Sequence, residues 1–246
     1  MGGGEKYDTE PAIISIFAGA GGDDAEDCAK ILFEMYLKFS DKQNYTLDIL
    51  DQNQNTLGGY KNISFEISGK GVYGKLKNES GVHRIVRKSP FNSKSKRQTS
   101  FVLVDVLPKL PKKDFVIDEN EFEITFAKSQ GAGGQNVNKR ETAVRIVHPK
   151  TGFSFFVSKE RTQERNKEIA LDMMRAKLYK KHQEDEEKKE KGLTVSDKVK
   201  IEWGSQIRSY VFDPYQMIKD HRTNIEIKDI NKVLNGNLEK FISTPD

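Results

Sequence analysis

The sequence predicts an α+β fold divided into more than one domain. Short apolar runs broken by Gly, Asn and Asp dominate the first hundred residues. Helical periodicity appears in only two long stretches, near residues 25–39 and 162–190, rather than after every strand. A break containing Pro108, Pro111 and two lysines then separates one group of strands from the next. The expected organisation is a β-rich first domain over residues 6–117, a small α/β domain over 118–191 carrying a long charged helix, and a segment over 192–246 packing back on the first domain. A chain of 246 residues allows one to three such units.

Taken in order, Ala12 to Phe17 reads as a strand, followed by the glycine-rich run AGAGG and Asp23-Asp24. Ala25, Cys28, Ile31, Leu32, Met35, Tyr36 and Phe39 recur at helical spacing, and the acidic first turn suits the helix dipole. Cys28 falls on the apolar face and reads as core. Thr46 to Leu50, Ile63 to Ile67, Val72 to Leu76 and Ser100 to Leu107 read as strands, with the glycine-rich stretch 68–76 as a hairpin. Phe122 to Phe126 alternates as a strand before a second glycine loop, and 143–147 with 152–157 reads as a pair around His148. The helix from about Thr162 has an apolar first half and an almost wholly charged second half, with Gly192 as its expected stop. The last fifty-odd residues hold the only Trp, Trp203, in a mixed pattern.

Composition excludes several classes. Lys and Arg number 41 against 37 Asp and Glu, so any basic surface is local. One Cys excludes an internal disulfide framework, and His83, His148, His182 and His221 are too scattered with Cys28 for a structural zinc site. No signal-peptide pattern and no apolar run of membrane-spanning length occurs, which predicts a cytoplasmic protein without a membrane partner.

Three glycine clusters and one basic segment are candidate sites. SGKGVYGKL (68–76) nearly matches a P-loop, but Leu76 stands where Ser or Thr would hold magnesium, so no nucleotide cofactor is expected. In FAGAGGDDAED (17–27) two carboxylates would repel a pyrophosphate, while free N–H groups at the helix start could hold a neutral polar edge such as a nucleobase; a plain strand-to-helix turn fits equally. In KSQGAGGQNVNKRETAVR (128–145) three glycines in four positions sit within a frame of Lys128, Lys139, Arg140, Arg145 and Lys150. A basic frame around a nearly bare tip suits insertion among phosphates, although an ordinary turn is also possible. Gln135 at that tip does not titrate, so any chemistry there must come from positioning water and donating hydrogen bonds. RIVRKSPFNSKSKR (84–97) carries six Lys/Arg, no acid, and a hydroxyl, a turn former and a stacking ring at Ser89, Pro90 and Phe91, groups that read unpaired RNA bases; a nonspecific basic loop is the bland alternative.

The motifs GVHRIVRKSPF (81–91), KRQTSF (96–101), GAGGQNVN (131–138) and WGSQIRSYVFD (203–213) stand in the same order as in bacterial class I peptide chain release factors. The chain resembles the second type, which reads UAA and UGA, from about Ile13 to Phe241. The resemblance implies that Gly133, Gly134 and Gln135 enter the ribosomal peptidyl transferase centre and trigger hydrolysis of the peptidyl-tRNA ester. The factor would then promote the reaction within the ribosome rather than act as a free-standing enzyme. It implies that Ser89, Pro90 and Phe91, with Gln98, Thr99, Gly21 and Asp24, face the mRNA stop codon in the decoding centre. Trp203 would belong to the switch loop, and Arg87, Lys88, Arg97, Lys139 and Arg140 would contact ribosomal RNA. Gln135 would be the substrate of a glutamine methyltransferase.

Two residues depart from the family pattern. Gln98 replaces the usual His, which removes an aromatic face for stacking, and Asp24 is one methylene shorter than the usual Glu. Family members also carry a helical domain ahead of the part seen here, and without it a response to the recycling GTPase is not expected. A codon-independent ribosome rescue factor and an RNA-binding module without release activity are the alternatives. The serine-proline-phenylalanine triplet argues against the first and the intact glycine loop against the second.

Overall fold

The computed structural model describes residues 7–92, 96–128, 142–190 and 205–242, with side chains in its long helix described as far as residue 186. The fold is α+β. Strands β1 (Ala12–Ala18), β2 (Thr46–Gln54), β3 (Tyr60–Ser68), β4 (Gly81–Lys88) and β5 (Arg97–Pro108) belong to the larger sheet, with helix α1 (Asp23–Lys42) crossing one face. Strands β6 (Glu123–Ala127), β7 (Ala143–His148) and β8 (Phe153–Val157) form a separate three-stranded antiparallel sheet, followed by the long helix α3 (Gln163–Glu190). The last strands, β9 (Gln206–Val211), β10 (Met217–Asp220) and β11 (Glu226–Ile227), return to the larger sheet, giving it eight strands in the order β11-β10-β9-β4-β5-β1-β3-β2.

The near-continuous apolar run of β1 follows from burial on both faces. Ile14 and Ile16 pack against α1 with Leu32, Tyr36, Phe39 and Phe65, while Ile13 on the opposite face joins Leu50 and Leu107 beneath the smaller sheet and α3. The apolar face of α3 supplies Ala170, Met173 and Met174 to that second core. Further along, Lys177 and Lys180 lie 2.5 and 3.1 Å from the carboxylate of Asp105 on β5. Burial raises the Asp105 carboxyl, and the two ammonium groups outweigh it and hold it below its ordinary value.

Residues 72–76 correct the sequence reading: they form the short helix α2 (Val72–Leu76), not a strand or hairpin. Gly71 at φ 69° turns the chain, and the Tyr73 and Gly74 N–H groups donate to the Glu10 and Asp8 carbonyls at 3.1 and 3.0 Å. Contacts with a distant stretch of chain thus override the local pattern.

The C-terminal strands are tied in by a buried charge network. β9 pairs parallel with β4, placing Arg208 beside His83 in register. Arg208 is fully buried, donates to both oxygens of Glu79 at 2.7 and 2.6 Å and to Asp220 Oδ2 at 3.1 Å, and lies 4.0 Å from the centre of the Phe241 ring. Burial and the neighbouring Arg208 push the His83 imidazole down to about 4, so it is neutral at pH 7. Its Nε2–H donates to the Glu79 carbonyl and its Nδ1 accepts from the Tyr210 hydroxyl. Burial raises the Glu79 carboxyl, and Arg208 more than offsets this. The short helices α4 (Ile230–Leu234) and α5 (Glu239–Ile242) close the C-terminal segment, bringing Ile230, Val233 and Phe241 to the α1 core. Among the described residues no helix is long and apolar enough to cross a membrane, and no cluster of three His, Cys, Asp or Glu could hold a metal ion.

Candidate functional site

One end of the larger sheet gathers the turn into α1, the end of β4 and the start of β5. The β1–β5 ladder runs on through Gly19 N–H to Phe101 O and Phe101 N–H to Ala20 O, at 2.8 and 3.1 Å. Gly21 (φ 138°) and Gly22 (φ 56°) then bend the chain into α1. A Cβ on Gly21 would lie 2.9 Å from Ser100 Oγ, so position and conformation both require glycine. Gly22 is the N-cap and has no side chain to bond the first-turn N–H groups. That turn carries Asp23, Asp24 and Glu26.

Asp24 organises the site. Ser89 Oγ donates to Asp24 Oδ2 at 2.7 Å, and Arg87 Nη2 reaches Asp24 Oδ1 at 3.4 Å and Asp27 Oδ2 at 2.6 Å. The Phe91 N–H donates to Ser89 Oγ at 3.2 Å and the Ser89 N–H to the Lys96 carbonyl at 3.1 Å, which holds residues 89 and 96 against each other. Ser89 is buried, whereas Pro90 and Phe91 stand exposed at the tip. The Ser89 hydroxyl therefore gives its proton inward and keeps one lone pair beyond the Phe91 bond. Arg87, expected on RNA, is largely buried and its Nη2 is committed to two carboxylates, with Nε buried and unpartnered. Lys88 is exposed and pairs with Asp213 at 3.1 Å, and Arg97 is exposed. Behind the site, burial pushes the Cys28 thiol up to about 11, as a core thiol should be.

Strand alternation divides the remaining candidates. Gln98 lies opposite Arg87 in register, on the α1 face beside Asp24 and Ser89. Thr99 points to the other face, into a groove of about 210 Å³ lined by Arg84, Arg97, Asp213, Pro214 and Tyr215. Asp213 and the exposed Tyr215 come from the C-terminal segment, and nothing local in the sequence marks them as neighbours of Thr99.

The second glycine loop connects β6 to β7, whose last registered pair is Ala127 with Ala143. Gly133, Gly134, Gln135, Lys139 and Arg140 lie outside the described residues, as do Trp203 and Gly192. At the exit of this loop, Asn166 Nδ2 donates to the Thr142 and Glu160 carbonyls, a residue the sequence reading missed. A cleft of about 440 Å³ between the two sheets is lined by Asp51, Asn62, Arg145 and Phe156 among others. Asp51 projects from a β2 bulge and accepts from Ser158 Oγ at 3.1 Å. Burial raises its carboxyl despite the hydrogen bonds from Ser158, the Gln52 N–H and Asn62.

The arrangement defines a two-part α+β protein in which a basic, aromatic-tipped turn sits on one sheet and a glycine loop on another. Residues 3–104 match the family described as the PCRF domain, and residues 111–222 match the RF-1 domain. The chain belongs to the class I peptide chain release factors. It is 38% identical to RF2 of Thermus thermophilus, with a TM-score of 0.83 over 96% of this chain and 67% of that one. It is 46% identical to chloroplastic peptide chain release factor PrfB1 of Arabidopsis thaliana, covering 96% of this chain and 52% of that protein. It is 42% identical to peptide chain release factor 2 of Clostridium perfringens, over 96% of this chain and 66% of that protein. The chain thus spans between about half and two thirds of these curated relatives.

Proposed function

We propose that this chain recognises the stop codons UAA and UGA in the ribosomal A site and triggers hydrolysis of the peptidyl-tRNA ester. The observation that carries the reading is the cluster at one end of the larger sheet. There the open first turn of α1, the Ser89-Asp24 hydrogen bond, Gln98 and the exposed Phe91 meet, with the glycine loop held on a different sheet. Residues 6–117 with 192–246 read the codon, and residues 118–191 act on the ester. Two separated ends suit a reaction in which reading and cleavage take place at different points of the ribosome.

At the reading end, Gly21 and Asp24 offer backbone groups to the first base, and Pro90 and Phe91 shape the turn that presents Ser89. With its proton on Asp24, Ser89 meets the adenine amino group as an acceptor; to donate to the guanine carbonyl it turns its hydroxyl outward. Thr99, on the opposite face, takes a different base from Gln98. At the cleavage end, Gln135 orients water and its backbone N–H stabilises developing negative charge, a contribution of about 10²–10³ in rate for one such donor. A glutamine methyltransferase acts on the same side chain. Trp203 lies in the loop that relays codon recognition, and Lys88, Arg97, Lys139 and Arg140 contact ribosomal RNA.

The test is peptide release from ribosomes carrying UAA, UGA, UAG, a sense codon or an empty A site. Release on UAA and UGA alone is expected. Equal release on every complex would replace codon reading with ribosome rescue, a reading favoured by the absence of an aromatic ring at Gln98. Binding without release would leave only an RNA-binding module.

A further inference from the structure

Asn166, in the first turn of α3, has no exposed surface. Its Nδ2 donates to the Thr142 and Glu160 carbonyls, each at 2.8 Å, and its Oδ1 accepts from the Glu160 N–H, also at 2.8 Å. A primary amide has two N–H donors, and both are used. One buried side chain therefore stitches together three stretches of chain: the leg returning from Gln135, the connection from β8, and the start of the long helix. The helix is in turn fixed to the larger sheet through Lys177, Lys180 and Asp105.

We propose that Asn166 is a positioning residue for the reaction at Gln135. It fixes Thr142, where the glycine loop rejoins the smaller sheet, relative to α3. The proposal rests on the reading of Gly133, Gly134 and Gln135 as the hydrolytic tip. Displacement of a reacting group by about 1 Å can cost about 10²-fold in rate, so the anchor of such a tip must be rigid. A side chain whose buried partners would be left unsatisfied on truncation provides that rigidity.

The experiment compares Asn166→Ala and Asn166→Asp with the parent in single-turnover peptide release on stop-codon ribosomes, over a range of factor concentrations. Melting curves define temperatures at which each variant is folded. Asn166→Asp is the decisive variant, because a carboxylate still accepts from the Glu160 N–H but cannot donate to Thr142 or Glu160. Both variants are expected to release about 10–100-fold more slowly at saturation, with the half-saturating concentration changed less than about twofold. A folded Asn166→Asp protein releasing at the parental rate would overturn the proposal, as would a loss confined to the half-saturating concentration. If Asn166→Asp is unfolded at every temperature, Asn166→Ser, which keeps a hydroxyl donor, is judged by the same split. A parent that releases nothing would instead refute the hydrolytic reading itself.

Discussion

Replacing Glu79 with Gln tests the buried network that holds β9 against β4. Gln is nearly isosteric and keeps an acceptor for the Tyr36 hydroxyl, which bonds Glu79 Oε2 at 3.1 Å. It removes the charge opposite Arg208, whose side chain and that of Glu79 have no exposed surface. Asp220 remains 3.1 Å from the guanidinium, but it is already shared with Arg222 at 2.8 Å. Breaking a buried pair costs about 3–5 kcal/mol, and with Asp220 left in place the lower end applies, about 3 kcal/mol. For a chain of this size that corresponds to a fall of about 6–12 °C in Tm. The assay is thermal unfolding at pH 7, repeated at low and high salt. The loss should be nearly salt-independent, because neither group reaches solvent. Arg208→Met should also destabilise, and the double variant should lose markedly less than the sum of the single losses, since it leaves no unpaired charge. A Glu79→Gln protein melting within about 2 °C of the parent, or strictly additive losses, would refute the reasoning.

The remaining predictions concern pH and the reading site. His83 is held below its unfolded value, so its stabilising contribution is complete above pH 6.5 and is lost as pH falls towards about 4; Glu79 adds to the loss below its own unfolded value. Melting temperature should therefore decline steadily from pH 6.5 to 4, and His83→Gln should flatten the upper part of that curve. Asp24→Asn removes the charge-assisted bond from Ser89, a loss of about 1.5 kcal/mol or more, and should weaken binding to stop-codon ribosomes about tenfold with little change in release rate at saturation. Arg87 keeps Asp27, so the fall in melting temperature should stay within about 3–6 °C. Gln98→His adds a stacking face beside Ser89 and should tighten stop-codon binding, base stacking being worth about 1–3 kcal/mol. An unchanged apparent affinity would show that no base lies over this position.

Much of the fold was legible wherever local chemistry and tertiary context agree. The run from Ala12 to Phe17 became β1, and the apolar face through Cys28, Leu32 and Phe39 became the buried face of α1. Residues 72–76 were misread because five residues are too few to show a period, and the hydrogen bonds that fix them come from Glu10 and Asp8. The C-terminal strands were hidden for a related reason: parallel pairing with β4 leaves no local mark in either segment. At the proposed reading site the exposed residues Pro90 and Phe91 were visible in their residue types. The inward turn of Arg87 and the Asp24-Ser89 bond were not, since they depend on how a helix start and a strand end meet. Asn166 gave no signal because an Asn among Glu, Arg and Lys at a helix start looks solvated until the structure shows it enclosed.

The position of β9 has a consequence for how the molecule comes into being. The strand that leads into Ser89 gains its second neighbour only from chain made more than a hundred residues later, after the whole of the smaller sheet and the long helix. During synthesis β4 must wait as an open edge, with the guanidinium that satisfies Glu79 still to be added. A nascent copy therefore cannot complete this sheet until residues 206–211 have left the ribosome.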